Sequence, residues 1–316
     1  MARGRIYKTR ESLEARIASL KEELPPDQVK ALLRFKRSLQ AQGLSDHRLL
    51  FYLQHLMPVA RRLGEVFLRP EKEDIEVVVA AINASDYKEW TKVSKRVAIK
   101  RFYKWLLGDD EEYPRCVRWI KSKTNNHKRK LPEDLLTQGE VKAMVQACLN
   151  PRDRALISLL YDSGARIGEI LSLDVKHVEF DQYGAVIHIP EGKTGSRRVR
   201  VIGNSVAHLP AWLEVHPIRD DRNAPLFVGL DARTRDRSMN YPQARKVIQT
   251  AARRSGIEKR VTPHLFRHTR ATELSKRIPE APLEAYMGWV PGSEMAQVYV
   301  HLSGRDVDDA ILEAHG

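Results

Sequence analysis

Cysteine is scarce: the 316 residues hold only Cys116 and Cys148. Two thiols without metal-ligand spacing make neither a disulfide framework nor a zinc site, so both are expected to be reduced in a cytoplasmic protein. Long apolar runs are missing too, and none approaches the ~20 residues that cross a bilayer. The opening stretch MARGRIYKTRESLEAR has no apolar segment of the secretory kind. A membrane is therefore not an expected partner. No acidic pair or cluster offers Mg²⁺ ligands, and HExxH is absent. His264 and His268 stand four apart, but a zinc site needs a third ligand and usually a nearby acid. GKT at 192–194 resembles a phosphate loop, yet that motif needs a glycine five residues before Gly192, where Ile187 stands. No metal and no ATP is expected as a cofactor. Internal repeats and low-complexity tracts are also missing.

Positive charge is abundant. Lys and Arg number 54 against 41 Asp and Glu, a formal net of +13, with a pI near 9.7. The excess is uneven. Residues 1–131 carry 29 basic and 17 acidic side chains, whereas residues 132–316 carry 25 and 24. A strongly basic first part implies a polyanionic partner, and nucleic acid leads because neutralising its phosphates releases counterions. A merely soluble basic surface would have the same composition. The hydrophobic fraction of 42% fits a globular protein. The length is enough for two domains with separate cores.

Residues 11–24 read as a helix stopped by Pro25-Pro26, and Asp27 is placed to cap a second helix running to about Gln42. Ser45 caps a third that reaches Gly64, within which Pro58 predicts a kink or break. Residues 71–83 make a fourth. The fifth, from about Trp90 to Leu107, carries Ile99, Phe102, Tyr103 and Leu106 as an apolar stripe, with Lys92, Arg96 and Lys100 on another face. That face is a candidate surface for a DNA backbone; the plain alternative is a solvated charge row. A basic linker over 121–133, containing Lys128, Arg129 and Lys130, separates a helical domain at 1–120 from a second domain at 134–316. Beyond it Thr137 caps a helix, and Gly164 makes the turn between a helix over about 153–162 and one in ARIGEILSL. Three short strands follow, HVEFD, AVIHIP and RRVRVI, with turns at Gly184 and GKTGS. In the third, Val199 and Val201 alternate with Arg198 and Arg200, which predicts one core face and one basic face. Further helices are expected near Asn240 and over 262–276, 281–287, 294–301 and 305–314. The last is short and amphipathic, and is expected to dock on a neighbouring protomer.

The chemistry concentrates towards the end. TPHLFRHTRATEL holds His264 and Arg267 three apart, on one face of a helix that Pro263 opens. Gly288 and Trp289 follow, and then Tyr299. Far upstream, Arg166 sits in GARIGEILSL, with Glu169 three residues beyond it. These are phosphate-binding and proton-moving groups around one phenol. Two guanidinium forks suit the non-bridging oxygens of a phosphodiester undergoing transfer. A free phenol has a pKa of about 10, so it needs a neighbouring cation or base to act as a nucleophile at neutral pH. His264 can take that proton or hold a phosphate oxygen. The Trp289 indole can donate to a phosphate oxygen but cannot shuttle a proton. Lys193, in the EGKTG turn, can act as a general acid or be a plain solvated lysine. Glu169 can orient the Arg166 guanidinium or form a surface ion pair. Tyr286 is the rival phenol, but it precedes the Gly-Trp element and its LxxYM setting reads as core.

GARIGEILSL, the GKTGSRRVRV hairpin, HLFRHTRATEL and the Gly-Trp…Tyr ending together resemble the tyrosine recombinase, or phage integrase, family. The resemblance covers most of the chain: about 134–303 looks like the catalytic part, and 45–107 is similar to the family's helical core-binding domain. The stretch GWVPGSEMAQVYVHLSGRD is most similar to the archaeal branch. The resemblance implies a mainly α fold with a small antiparallel β-sheet, arranged as a two-domain clamp on double-stranded DNA. It implies Arg166, Lys193, His264, Arg267, Trp289 and Tyr299 as catalytic residues, Glu169 in support, and His268 as a structural residue of its helix. The implied activity is site-specific recombination through a 3′-phosphotyrosyl ester. A homo-tetramer on two duplexes would pass through a Holliday junction, the free protein being a monomer or dimer. Two other functions fit the same residues: a topoisomerase that nicks and relaxes DNA, and a DNA-binding architectural protein without catalysis.

Overall fold

The computed structural model describes residues 9–122, 134–192 and 195–292, together with Tyr299, Leu312 and His315. Most of the basic linker, and the helices expected at 294–301 and 305–314 apart from Tyr299 and Leu312, lie outside the described residues. Two compact units make up the chain, Lys8–Lys128 and a second built on Arg129–Gly316.

In the first unit the described helices are α1 (Thr9–Glu23), α2 (Pro26–Ala41), α3 (Asp46–Leu63), α4 (Lys72–Ala84), α5 (Glu89–Leu107) and the short α6 (Arg115–Arg118). Apolar residues at helical spacing turn inward: Leu32, Phe35 and Leu39 of α2, Leu53 and Leu56 of α3, and Ile99, Phe102 and Tyr103 of α5 are buried. Phe35 meets Phe102 edge-on at 5.3 Å between centroids, and Phe67 stacks on Phe102 at 5.1 Å. Tyr103 donates its hydroxyl to the Phe67 carbonyl at 2.8 Å, which satisfies its polar end inside the core.

Two local expectations are corrected here. α2 starts at Pro26 and not behind Asp27, because proline suits the first helical position, where no N–H is needed; Asp27 falls in the first turn instead. Of the kink or break expected at Pro58, the break does not occur: α3 is one helix through it. The buried Leu56, Met57, Val59 and Ala60 around it supply packing that offsets the missing hydrogen bond. The cation row of α5 is also less open than a solvated face would be. Lys92 donates to the Asn83 carbonyl at 2.8 Å and pairs with Glu89 at 3.3 Å. Lys100 donates to the Ile120 carbonyl at 2.9 Å and lies 4.5 Å from the Tyr113 ring centroid. The Nε of Arg96 is buried.

The second unit contains α7 (Gln138–Gln146), α8 (Pro151–Ser163), α9 (Ile167–Leu171), α10 (Asn204–Glu214), α11 (Tyr241–Arg254), α12 (Pro263–Ser275) and α13 (Glu280–Met287). Its sheet has β1 (Val178–Asp181), β2 (Gly184–Gly192) and β3 (Gly195–Val201), antiparallel in that order. Thr137 caps α7 as the sequence suggests, accepting from the Glu140 N–H at 3.1 Å. α8 is the central helix: every residue from Ala155 to Ser163 is buried, and α7, α10 and α12 pack on it. In the sheet, Ile187 pairs with both Val178 and Val199, and Ala185 pairs with Val201. Ala185, Ile187, Val199 and Val201 are fully buried, so β3 does present a core face. On its other face Arg198 is exposed, and Arg200 pairs with Asp181 at 2.5 Å.

α10 has no counterpart in the sequence reading, and it contains Pro210, a residue that disfavours a helix interior. Tertiary anchors override the proline. The buried Asp162 carboxylate accepts the Ser205 N–H at 2.7 Å and the Ser205 hydroxyl, holding the start of α10 against the end of α8. Further along, the buried Trp212 donates to the Leu226 carbonyl at 2.7 Å.

Candidate active site

Arg166 owes its place to the turn before it. Gly164 ends α8 in the left-handed conformation (φ 57), and Arg166 then stands at the N-cap of α9. Its N–H donates to Glu169 Oε2 at 2.8 Å and its guanidinium to Oε1 at 2.9 Å; the same guanidinium reaches the Gly288 carbonyl at 3.3 Å. Glu169 has a second and stronger partner in Arg197 of β3. Arg197 grips both carboxylate oxygens, at 3.0 and 2.8 Å, and donates through Nε to the Tyr286 carbonyl at 3.1 Å. Burial alone would raise the Glu169 pKa, but the Arg197 fork and Arg166 outweigh it and hold the carboxyl at about 2. The Glu169 side chain is only 14% exposed, unlike an ordinary surface ion pair.

Arg267 is buried in α12 and donates to the carbonyls of Gly164 at 3.0 Å and Met287 at 2.7 Å. Burial, joined by the charges of Arg166 and Arg197 and opposed by Glu169, pulls its pKa down to about 10. It remains a cation at neutral pH. Arg166 and Arg197 therefore share one carboxylate, and the buried Arg267 lies close enough to feel the charges of all three, which leaves an excess of positive charge around the site. An anion would relieve it. Gly288, at the end of α13, frames the same space. Its φ of 64 suits glycine, and a Cβ there would lie 2.7 Å from Arg197 Nη1.

Beside the arginines lies a small buried cluster of Ala271, Leu283, Met287, Trp289 and Tyr299. The Trp289 ring stacks on Tyr299 at 5.1 Å with planes 10° apart, and Arg267 Cζ lies 5.8 Å from the Trp289 centroid. Tyr299 is 2% exposed, and its hydroxyl sits 2.7 Å from His268 Nδ1. Burial raises the Tyr299 pKa, and Arg267 works against that rise.

The structure thus brings Arg166, Glu169, Arg267, Trp289 and Tyr299 into one region of the second unit. His264 stands exposed in the first turn of α12. Lys193, Lys128, Arg129 and Lys130 lie outside the described residues. Tyr286 donates its hydroxyl to the carbonyls of Asp162 at 3.0 Å and Arg200 at 2.9 Å, and burial raises its pKa, so its phenol is engaged in holding α8 to β3. Two residues escape the sequence reading. Arg197 shares the inward face of β3 with Val199 and Val201, and an arginine on a core face is itself a sign of a buried carboxylate. His268, which the resemblance implies is structural, lies against Tyr299, a contact that nothing local announces. Among the described residues no group of three or more His, Cys, Asp or Glu side chains could hold a metal ion, and no helix is long and apolar enough to cross a membrane.

Residues 134–305 match the phage integrase family. The chain is 28% identical over 293 residues to the tyrosine recombinase XerD of Ralstonia nicotianae (strain ATCC BAA-1114 / GMI1000), covering 89% of this chain and 92% of that protein. It is 24% identical over 284 residues to the tyrosine recombinase XerA of the archaeon Pyrococcus horikoshii, covering 90% and 93%. Among solved structures, the fold is similar to that of a lambda integrase tetramer bound to a Holliday junction, with a TM-score of 0.66 at 15% identity, covering 85% of this chain and 76% of that one. The family match spans more than half of the chain and contains every residue from Arg166 to Tyr299: the chain belongs to the phage integrase family of tyrosine recombinases.

Proposed function

We propose that this protein is a site-specific recombinase that cuts and rejoins double-stranded DNA through a 3′-phosphotyrosyl intermediate. One observation carries the reading: Arg166, which with Arg197 grips the carboxylate of Glu169, and the buried Arg267 meet at the adjacent carbonyls of Gly288 and Met287, in the same unit as a tyrosine stacked on Trp289. In this reading Arg166 and Arg267 fork the non-bridging oxygens of the scissile phosphate, where charge develops. Arg197 and Glu169 hold Arg166 in place. Tyr299 attacks phosphorus, the bond to the 5′ oxygen breaks, and Lys193 protonates that oxygen. His264 supplies a hydrogen bond to the phosphate, and Trp289 fixes the plane of the attacking ring. The guanidinium groups meet the developing charge directly, so the chemistry calls on no metal ion. The phosphotyrosyl ester keeps the energy of the broken bond, so a 5′-hydroxyl from a partner strand can rejoin without ATP.

Exchange between two duplexes needs four such tyrosines, hence four protomers and a Holliday junction. The likeness to a lambda integrase tetramer bound to a Holliday junction supports that assembly. The basic excess of residues 1–131, the cations Lys128, Arg129 and Lys130, and the exposed Arg198 supply the sequence-independent hold on the DNA backbone. The test uses a duplex selected for binding from a random library and nicked beside the cleavage position, so that the 5′ fragment diffuses away. Wild type in EDTA is expected to leave a protein–DNA adduct on a denaturing gel, and Tyr299→Phe none. An adduct that survives Tyr299→Phe would move the nucleophile to another residue.

A further inference from the structure

Resting on the reading of Tyr299 as nucleophile, we infer that His268 is the catalytic residue that receives its proton. The phenol must lose that proton as its oxygen bonds to phosphorus, and among the described residues the surroundings of Tyr299 narrow the choice. The Trp289 ring covers one face of the phenol, but an indole carries no acceptor lone pair. Arg267 supplies charge nearby, but a guanidinium accepts nothing and this one donates to two carbonyls. His268 Nδ1 lies 2.7 Å from the phenolic oxygen, the distance of a hydrogen bond ready for transfer. His264, one turn earlier on α12, is exposed at the helix start. Stacking on Trp289 and the bond to His268 together fix both the plane of the phenol and the direction of its oxygen.

The step balances. In this reading His268 carries its own proton on Nε2, and the Tyr299 O–H proton passes to the free Nδ1 while the oxygen forms its bond to phosphorus. The bond from phosphorus to the 5′ oxygen breaks, and that oxygen takes a proton from the Lys193 ammonium. In rejoining, a 5′-hydroxyl returns its proton to Lys193 as it attacks, and Tyr299 leaves phosphorus and recovers its proton from His268. His264 then serves the phosphate alone.

The experiment measures single-turnover adduct formation on the nicked duplex for wild type, His268→Asn and His268→Gln, each with ordinary tyrosine or 2,3-difluorotyrosine at position 299. Asparagine keeps a polar atom near the Nδ1 position without the basicity, and glutamine provides a second variant should asparagine unfold the helix. Thermal denaturation and DNA binding are followed beside the rate. The expected result is a loss of about 10²–10⁴-fold in rate for His268→Asn with binding retained. The more acidic difluorotyrosine should recover much of that loss, since a phenol that ionises by itself no longer needs the base. A merely structural His268 would give a loss that difluorotyrosine does not mend, and that result overturns the inference. So does an unchanged rate in His268→Asn, while an adduct still lost in Tyr299→Phe leaves the nucleophile standing. No adduct from wild type on DNA that it binds would overturn both.

Discussion

Glu169 shows how one side chain sets the state of a site. It is the single carboxylate gripped by Arg166 and Arg197, and without it the guanidinium groups would face one another uncompensated. Removing one partner of a buried charge network costs about 3–5 kcal/mol, because the others are left unpaired. Glu169→Gln is therefore expected to lower stability by about that much at pH 7, as measured by urea denaturation. The pH dependence has a definite sign. The folded pKa is about 2, below the ordinary glutamate value. A depressed carboxylate pKa stabilises the fold above the unfolded pKa, and that stability is lost as pH falls through the folded one. The gap between wild type and Glu169→Gln should accordingly hold from pH 7 to about 5 and then narrow towards pH 2. A gap independent of pH over that range would mean that Glu169 acts through its shape and not its charge. Arg197 is the less visible half of this pair. Its neighbours Arg198 and Arg200 look equally basic in the sequence, and only the strand's alternation says which of the three faces inward.

At the scale of elements, the site is built from the start of α9, the inward face of β3, the inward face of α12 and the segment just past α13. Gly288 joins two of these, being the left-handed residue after α13 and the neighbour of the Arg197 guanidinium. Gly288→Ala puts a methyl where φ is 64 and where Arg197 Nη1 lies 2.7 Å away. Strain of this kind costs about 1–3 kcal/mol. The substitution is expected to lower the melting temperature, and to cut adduct formation more than DNA binding, since it displaces the partner of Glu169. Equal losses of rate and binding would show that Gly288 only ends the helix. Periodic elements were legible before the fold. The stripe Ile99, Phe102, Tyr103 on α5, the cap at Thr137 and the inward Val199 and Val201 are all set by short-range spacing. What escaped is set by distant partners. α10 persists through Pro210 because Asp162, 43 residues before Ser205, anchors its start. His268 gains its partner from Tyr299, 31 residues on. No window of local pattern contains either pair.

For the whole molecule, the two units carry separate hydrophobic clusters, one drawn from Leu13 to Ile120 and the others from Leu135 to Tyr299. A segment of this size with its own buried aromatic centre is expected to fold alone. A fragment covering 8–128 should give one cooperative thermal transition and a helical circular dichroism spectrum. A broad, non-cooperative melt would show that its core depends on the other unit. The same fragment tests where the charge acts. Lys30, Arg34 and Arg37 stand exposed along one side of α2, whereas Lys92 and Lys100 of α5 are tied to main-chain carbonyls. A cation that meets a phosphate contributes about 0.9 to the slope of log affinity against log salt. Replacing Lys30, Arg34 and Arg37 by alanine is expected to lower that slope by about 2 to 3 while leaving the melt unchanged. Replacing Lys92 and Lys100 should do the reverse, lowering the melting temperature because the Asn83 and Ile120 carbonyls lose their donors, with little effect on the slope. If the α5 pair carried the slope instead, both lysines would have to leave their carbonyls to reach DNA, and binding would then raise the protection of α2 no more than that of α5 in hydrogen exchange.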